Sequence, residues 1–254
     1  MISAERIKAG LQAGGLHLGI SACVALAAAV LVLRIWFPYP FRDISGGLFL
    51  FWLMVGIDVV CGPLLTSILF NPKKSRRELT LDLSLVALVQ LSALVYGLYS
   101  ISLARPIAQV FEVDRLVAVT AAQITPADLA KARSECRNIS LFGGPLLLGT
   151  RIPNGQETFG SVKMALAGWD LSLRPEWWQP YEDGIADVKR RMKPLADLRA
   201  SRTQEPIDAA VQDTGLPLDQ LFYLPLTSRK KLDSWIAILN KDAQIVGYAP
   251  VDGF

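Results

Sequence analysis

The chain has 254 residues, of which 52% are hydrophobic and only 19% charged. Its net charge of +3 is confined to the first 103 residues, because residues 104–254 carry 18 Lys and Arg against 18 Asp and Glu. A neutral second half argues against nucleic acid as a partner, and three cysteines, two of them inside apolar runs, rule out a disulfide framework there.

Three apolar runs come first: Leu16 to Phe37, Gly46 to Phe70 and Leu79 to Leu103. Each exceeds the roughly 20 residues a helix needs to cross a bilayer. Arg34-Ile35-Trp36-Phe37-Pro38 after the first run is no small-residue cleavage site, so a cleaved signal peptide is a poor alternative. Lys73, Lys74, Arg76 and Arg77 crowd the loop between the second and third runs, and Arg6 and Lys8 precede the first. The positive-inside rule then places the N-terminus in the cytoplasm and residues 104–254 outside. Trp36, Phe37, Tyr39, Phe49, Phe51, Trp52, Tyr96 and Tyr99 gather at the opposite ends of the spans, as an interfacial aromatic belt would.

Asp58 falls near the middle of the second span, where an ionisable group is costly and marks a functional or assembly site. At 1.5 Å per residue it lies about 18 Å from the inner boundary and Gln90 of the third span about 16 Å, which makes Gln90 its expected partner. Asp58 reads as a packing contact, a docking point for a further helix or a member of a proton relay. Gly62 and Pro63 predict a kink, since proline removes a backbone donor. Gly15, Gly19, Cys23 and Ala27 form a small-residue stripe at spacing four, the kind that permits close helix approach. Asp82 is placed to pair with the Lys/Arg loop.

Residues 104–254 read as an α+β domain. Ile107 to Val113 and Leu116 to Val119 have strand composition, and Thr125-Pro126 opens a helix through about Arg137. A helix is expected over Thr158 to Ala167, and another over Gly184 to Ala200 that Pro194 bends or interrupts. A terminal hairpin pairs Ser234–Leu239 with Gln244–Ala249, and its strands are expected to share a sheet with the first ones. In Pro175-Glu176-Trp177-Trp178-Gln179-Pro180-Tyr181, the residues Trp177, Trp178 and Tyr181 are either packing anchors or a recognition patch. The sole histidine, His17, lies at the inner end of the first span. No His-based triad or metal site can therefore form outside the membrane, no nucleotide-binding motif occurs, and the chain reads as non-enzymatic without a cofactor.

Several segments in order resemble the type IV pilin accessory proteins of Gram-negative bacteria, the TfpX/TfpZ family. They are His17-Leu18-Gly19-Ile20-Ser21, Trp36-Phe37-Pro38, Gly56 through Thr66, Asp82-Leu83, Gln90-Leu91, Tyr96-Gly97, Ala104-Arg105-Pro106 and Phe111-Glu112-Val113-Asp114-Arg115. The resemblance implies an inner-membrane protein, so the outside face read for residues 104–254 would be the periplasm, with residues 1–103 as the three-helix transmembrane domain. It would assist assembly or display of a type IV pilin, alongside the inner-membrane assembly machinery. An ion-conducting or transport subunit using Asp58, or a membrane-anchored envelope sensor, are the alternatives.

Overall fold

The computed structural model describes residues 4–202 and 204–254, which fall into two units. The first comprises the chain up to Ile35 together with Gly46–Leu103; the second comprises Trp36–Ser45 and Ala104–Phe254.

In the first unit, helix α1 (Ala4–Val30) runs on through a π-helical turn, Leu31–Trp36. The short α2 (Phe41–Ile44) follows in the second unit, and then come α3 (Gly47–Leu69) and α4 (Arg76–Ala104) of the first. Among the described residues three helices, Ala4–Trp36, α3 and α4, are long and apolar enough to cross a membrane. Gly46, with φ of 71°, supplies the left-handed turn before α3. At the other end, Ser75 and Glu78 form a reciprocal cap that opens α4. Lys74 pairs with Asp82, as the sequence leads one to expect, and also reaches the Leu69 carbonyl at the end of α3.

Helices α1 and α3 approach closely along a seam of small residues, Gly10, Gly14, Ser21 and Ala28, all buried. A Cβ on Gly10 would stand 2.5 Å from the Ser67 carbonyl oxygen, and one on Gly14 would meet Ser67 Oγ and stand 2.9 Å from the Pro63 carbonyl. The expected seam at Gly15, Gly19, Cys23 and Ala27 is corrected by this geometry. All four are exposed, and nothing lies within 4 Å of a Cβ built on either glycine. The two stripes differ by a rotation of one residue, about 100°, on a helix apolar all round. Packing alone selects between them.

The second unit is an α/β domain on a mixed sheet. Its strands are β1 (Pro106–Glu112), β2 (Arg115–Thr120), β3 (Leu146–Thr150), β4 (Trp178–Pro180), β5 (Lys193–Pro194), β6 (Leu221–Ser228), β7 (Ile236–Asn240) and β8 (Ile245–Ala249). They lie in the order β4-β3-β1-β2-β6-β7-β8, with β5 on β6. The pairs β1/β3 and β2/β6 are parallel and the others antiparallel. The terminal hairpin thus joins the first strands through β6. Alternation along β6 and β7 sends Leu224, Leu226, Ala237 and Leu239 to one core and Leu221, Tyr223, Ile236 and Ile238 to another.

The second of these cores is covered by α8 (Leu195–Ser201) and α9 (Gln204–Thr214). Pro194 does interrupt the expected helix, dividing α7 (Ile185–Arg191) from α8 with a two-residue strand. The helix expected from Thr125 to Arg137 is shorter. Helix α5 (Pro126–Leu129) stops because Ala132 and Cys136 turn inward to the core beneath β1 and β3.

Residues 36–45, read from the sequence as an interfacial segment of the membrane portion, are part of this domain. Phe41 and Ile44 belong to the core formed with Phe111, Leu116, Leu224 and Leu226. The Phe41 and Tyr248 rings meet at 6.3 Å, Tyr39 and Trp235 at 5.8 Å, and Ser228 Oγ donates to the Ile44 carbonyl at 2.8 Å. Trp36 and Phe37 are buried here, so they cannot serve in an exposed belt; Tyr39, Phe49, Trp52, Tyr96 and Tyr99 stay exposed.

Candidate partner-binding site

Helices α1, α3 and α4 leave between them a cleft of about 190 Å³. Its walls are Ile20, Ser21 and Val24 of α1, Met54, Val55 and Asp58 of α3, and Ala87, Gln90, Leu91 and Leu94 of α4, with His17 at one end. His17 Nδ1 lies 2.6 Å from Thr66 Oγ1, which anchors that ring to α3.

Asp58 and Gln90 do come together, but not side chain to side chain. Gln90 Nε2 donates to the backbone carbonyl of Asp58 at 3.0 Å, and its amide fills the space over Gly62, where any side chain would collide. This bond braces the turn in which Pro63 lacks the N–H that would serve the Val59 carbonyl. Gly62 and Pro63 are both buried, Gly62 for α4 and Pro63 for α1. The contact between α3 and α4 therefore needs Gln90 and Gly62 and makes no use of the Asp58 carboxylate. Among the described residues no donor reaches that carboxylate, which opens on the cleft. A carboxylate in apolar surroundings is costly without a partner.

In the second unit, Trp177, Trp178 and Tyr181 are all buried, and this corrects the reading of them as a recognition patch. Trp178 donates from Nε1 to the Ser172 carbonyl at 2.9 Å. The Arg151 and Arg174 guanidinium carbons lie 3.8 and 4.9 Å from the Trp177 ring centroid. Tyr181 donates to the Ala243 carbonyl at 2.8 Å, and burial pushes its phenol well up. Cys136 is buried too and its thiol raised by burial, which is unlike an activated nucleophile. No metal-holding group of His, Cys, Asp and Glu occurs among the described residues.

The exposed apolar surface lies elsewhere. Helix α6 (Gly155–Leu166) turns Phe159, Val162 and Leu166 outward at spacings of three and four, and Phe159 and Leu166 are 81% and 86% exposed. Trp169 extends the patch. Helix α6 starts three residues before the expected 158–167 helix and ends one residue short of it, and its apolar face is bare. Beside it opens a cleft of about 400 Å³ lined by Phe111, Val113, Arg151, Ile152, Arg190 and Arg191. Strand β1 brings Phe111, near its end, to this cleft.

The start of α6 is held by a reciprocal cap between Asn154 and Glu157. Arg151 grips both Glu157 carboxylate oxygens, at 2.8 and 2.9 Å. The guanidinium first, and the Asn154 N–H second, hold the carboxyl down at about 2 against an ordinary 4.5. Because the folded value is depressed, this tether is intact above pH 4.5 and is lost as pH falls through about 2. Amide exchange across residues 158–166, corrected for intrinsic rates, is expected to show α6 loosening over that window, and Glu157→Gln to abolish the pH dependence. Equal protection at both ends of the window would contradict the tether.

Three span-length helices and an α/β domain on a mixed sheet define the architecture, a helical unit followed by a separate sheet domain. Comparison with known proteins narrows this. A family model for the fimbrial assembly protein FimB matches residues 5–46. The chain is 37% identical over 253 residues to the fimbrial assembly protein of serogroup E1 of Dichelobacter nodosus, covering 98% of each chain. It is 37% identical over 254 residues to that of serogroup I, again covering 98% of each. A shorter relative, from serogroups C1 and C2, is 43% identical over 128 residues, 50% of this chain. The chain belongs to the family of fimbrial assembly proteins. No solved structure matches it.

Proposed function

We propose that the protein is a non-enzymatic inner-membrane accessory factor that holds a type IV pilin subunit before or during its assembly. In this reading the three long helices span the bilayer with the N-terminus inside. The α/β domain lies in the periplasm, and the cleft between α1, α3 and α4 receives the pilin's apolar helix. The observation that carries it is the Asp58 carboxylate, which lines an apolar cleft with no internal donor. A second helix bringing a donor would satisfy it, at about 0.6–2 kcal/mol for an interhelical hydrogen bond. Packing within the three-helix unit is already served by Gln90 through the backbone, and that favours docking over a purely internal role. The exposed face of α6, with Phe159 and Leu166, would receive the pilin's head. The family membership supports a role in pilus assembly.

A photo-crosslinking residue at position 91, in the cleft, or at 166, on α6, tests this in cells making the pilin subunit. Both positions are expected to yield pilin adducts. Asp58→Leu should leave the protein's level unchanged and cut the position-91 adduct and surface piliation roughly tenfold, the effect of about 1.4 kcal/mol. A stable Asp58→Leu protein with normal adducts and piliation would overturn the docking role.

A further inference from the structure

Two exposed loops of the α/β domain are fastened to the residues at which its chain passes to the long helices. At the first, Trp36, the end of the Ala4–Trp36 helix, donates from Nε1 to the Leu141 carbonyl at 2.8 Å. Arg105, one residue beyond α4, donates from Nη1 to the Ser140 carbonyl at 2.9 Å. The side chains carried at this point, Leu141 and Phe142, are 56% and 75% exposed. At the second, Ser228 holds the Ile44 carbonyl, three residues before α3 begins. That loop continues as Arg229-Lys230-Lys231-Leu232, all exposed, and among the described residues none of the three cations forms an ion pair.

A loop within hydrogen-bond distance of the end of a span lies, by covalent continuity, at the depth where that span leaves the bilayer. We propose that these two loops are a lipid-binding surface. Leu141, Phe142 and Leu232 enter the boundary between headgroups and acyl chains, and Arg229, Lys230 and Lys231 bind the phosphates of anionic lipid. The pairing of bare apolar side chains with unpaired cations is what such an interface selects. The proposal rests on the reading of the three helices as membrane spans; it is independent of the docking role of Asp58. Its consequence is that the domain is fixed on the bilayer by its own loops as well as by its tethers.

The test uses the full-length chain in nanodiscs of phosphatidylcholine with and without phosphatidylglycerol. Cys23 and Cys61 are replaced by Ala, and Cys136, fully buried, is left in place. A fluorophore on Phe142→Cys or Leu232→Cys is expected to be blue-shifted, and quenched by shallow spin-labelled lipid roughly twofold or more over one on Leu166→Cys. Changing Arg229, Lys230 and Lys231 to Gln, or omitting phosphatidylglycerol, should lower quenching at 232 and spare 142. A chain keeping Cys61 alone reports on the span. If Cys61 is quenched and both loop positions stay in water, the lipid surface is overturned while the spans stand. If Cys61 is unquenched as well, the span reading fails and takes the proposal with it. Protection of 142 that arises only on adding pilin would assign the loop to protein and overturn the lipid occupant. Quenching at 232 indifferent to both charge and anionic lipid would overturn the headgroup contact.

Discussion

Phe41→Ala is expected to destabilise the α/β domain by about 3–5 kcal/mol, the range for truncating a buried phenylalanine. Phe41 is almost wholly buried in a core with Phe111, Leu116, Leu224 and Tyr181, whose members other than Phe41 and Ile44 come from residues beyond 104. The loss should be global within that domain, because the ring sits on the face shared by β1, β2 and β6. Hydrogen exchange of the β6 and β7 amides, measured on full-length protein in detergent, would report it directly. The neighbouring Tyr39, half exposed at 49%, should cost far less on truncation. A Phe41→Ala domain with unchanged protection would mean that residues 36–45 lie on the domain without supporting it.

The second large effect is expected at Gly14. A leucine there must displace Ser67 and the Pro63 carbonyl, both part of α3, so helices α1 and α3 are forced apart. Overpacking of this kind costs about 1–3 kcal/mol. The yield of crosslinks between α1 and α3, read with Gly10 and Ser67 left in place because a side chain on Gly10 would itself collide, should fall roughly tenfold if about 1.4 kcal/mol of association is lost. Gly15→Leu, one residue along, should leave that yield unchanged, because open space surrounds it. If the two variants behave alike, the seam between α1 and α3 has been placed on the wrong face.

These two sites also show what the sequence does and does not encode legibly. Length and apolar content make the three long helices plain, and Pro194 announces the break between α7 and α8 through its missing N–H. The Asn240-Lys241-Asp242-Ala243 turn marks the terminal hairpin in the same local way. The choice between Gly14 and Gly15 is not local. On a helix apolar all round, no amphipathic signal says which of two adjacent stripes faces its neighbour. Trp177 and Trp178 signal bulk without saying whether that bulk is covered. Trp178 is covered by the core with Val110 and Leu148, and Trp177 lies under Arg151, residues that no spacing rule connects to them. For α6 the sequence shows a helix over about 158–167 but not which face of it is covered, and Phe159 and Leu166 lie bare. Asp58 and Gln90 were matched by depth alone, and depth cannot separate a carboxylate contact from a carbonyl one.

The insertion of residues 36–45 into a domain completed so much later has a consequence for biogenesis. Ile44 and the Ser228 that holds it are 184 residues apart. During synthesis Phe37, Phe41 and Ile44 emerge early and stay uncovered until β6, β7 and β8 have followed, because a contact of that sequence separation forms only once the intervening chain exists. The protein is thus itself for a time an unfinished client, carrying a bare aromatic segment between its first two helices. Any shortened product that stops before β6 would keep that segment exposed, a ready mark by which quality control can tell it from the whole chain.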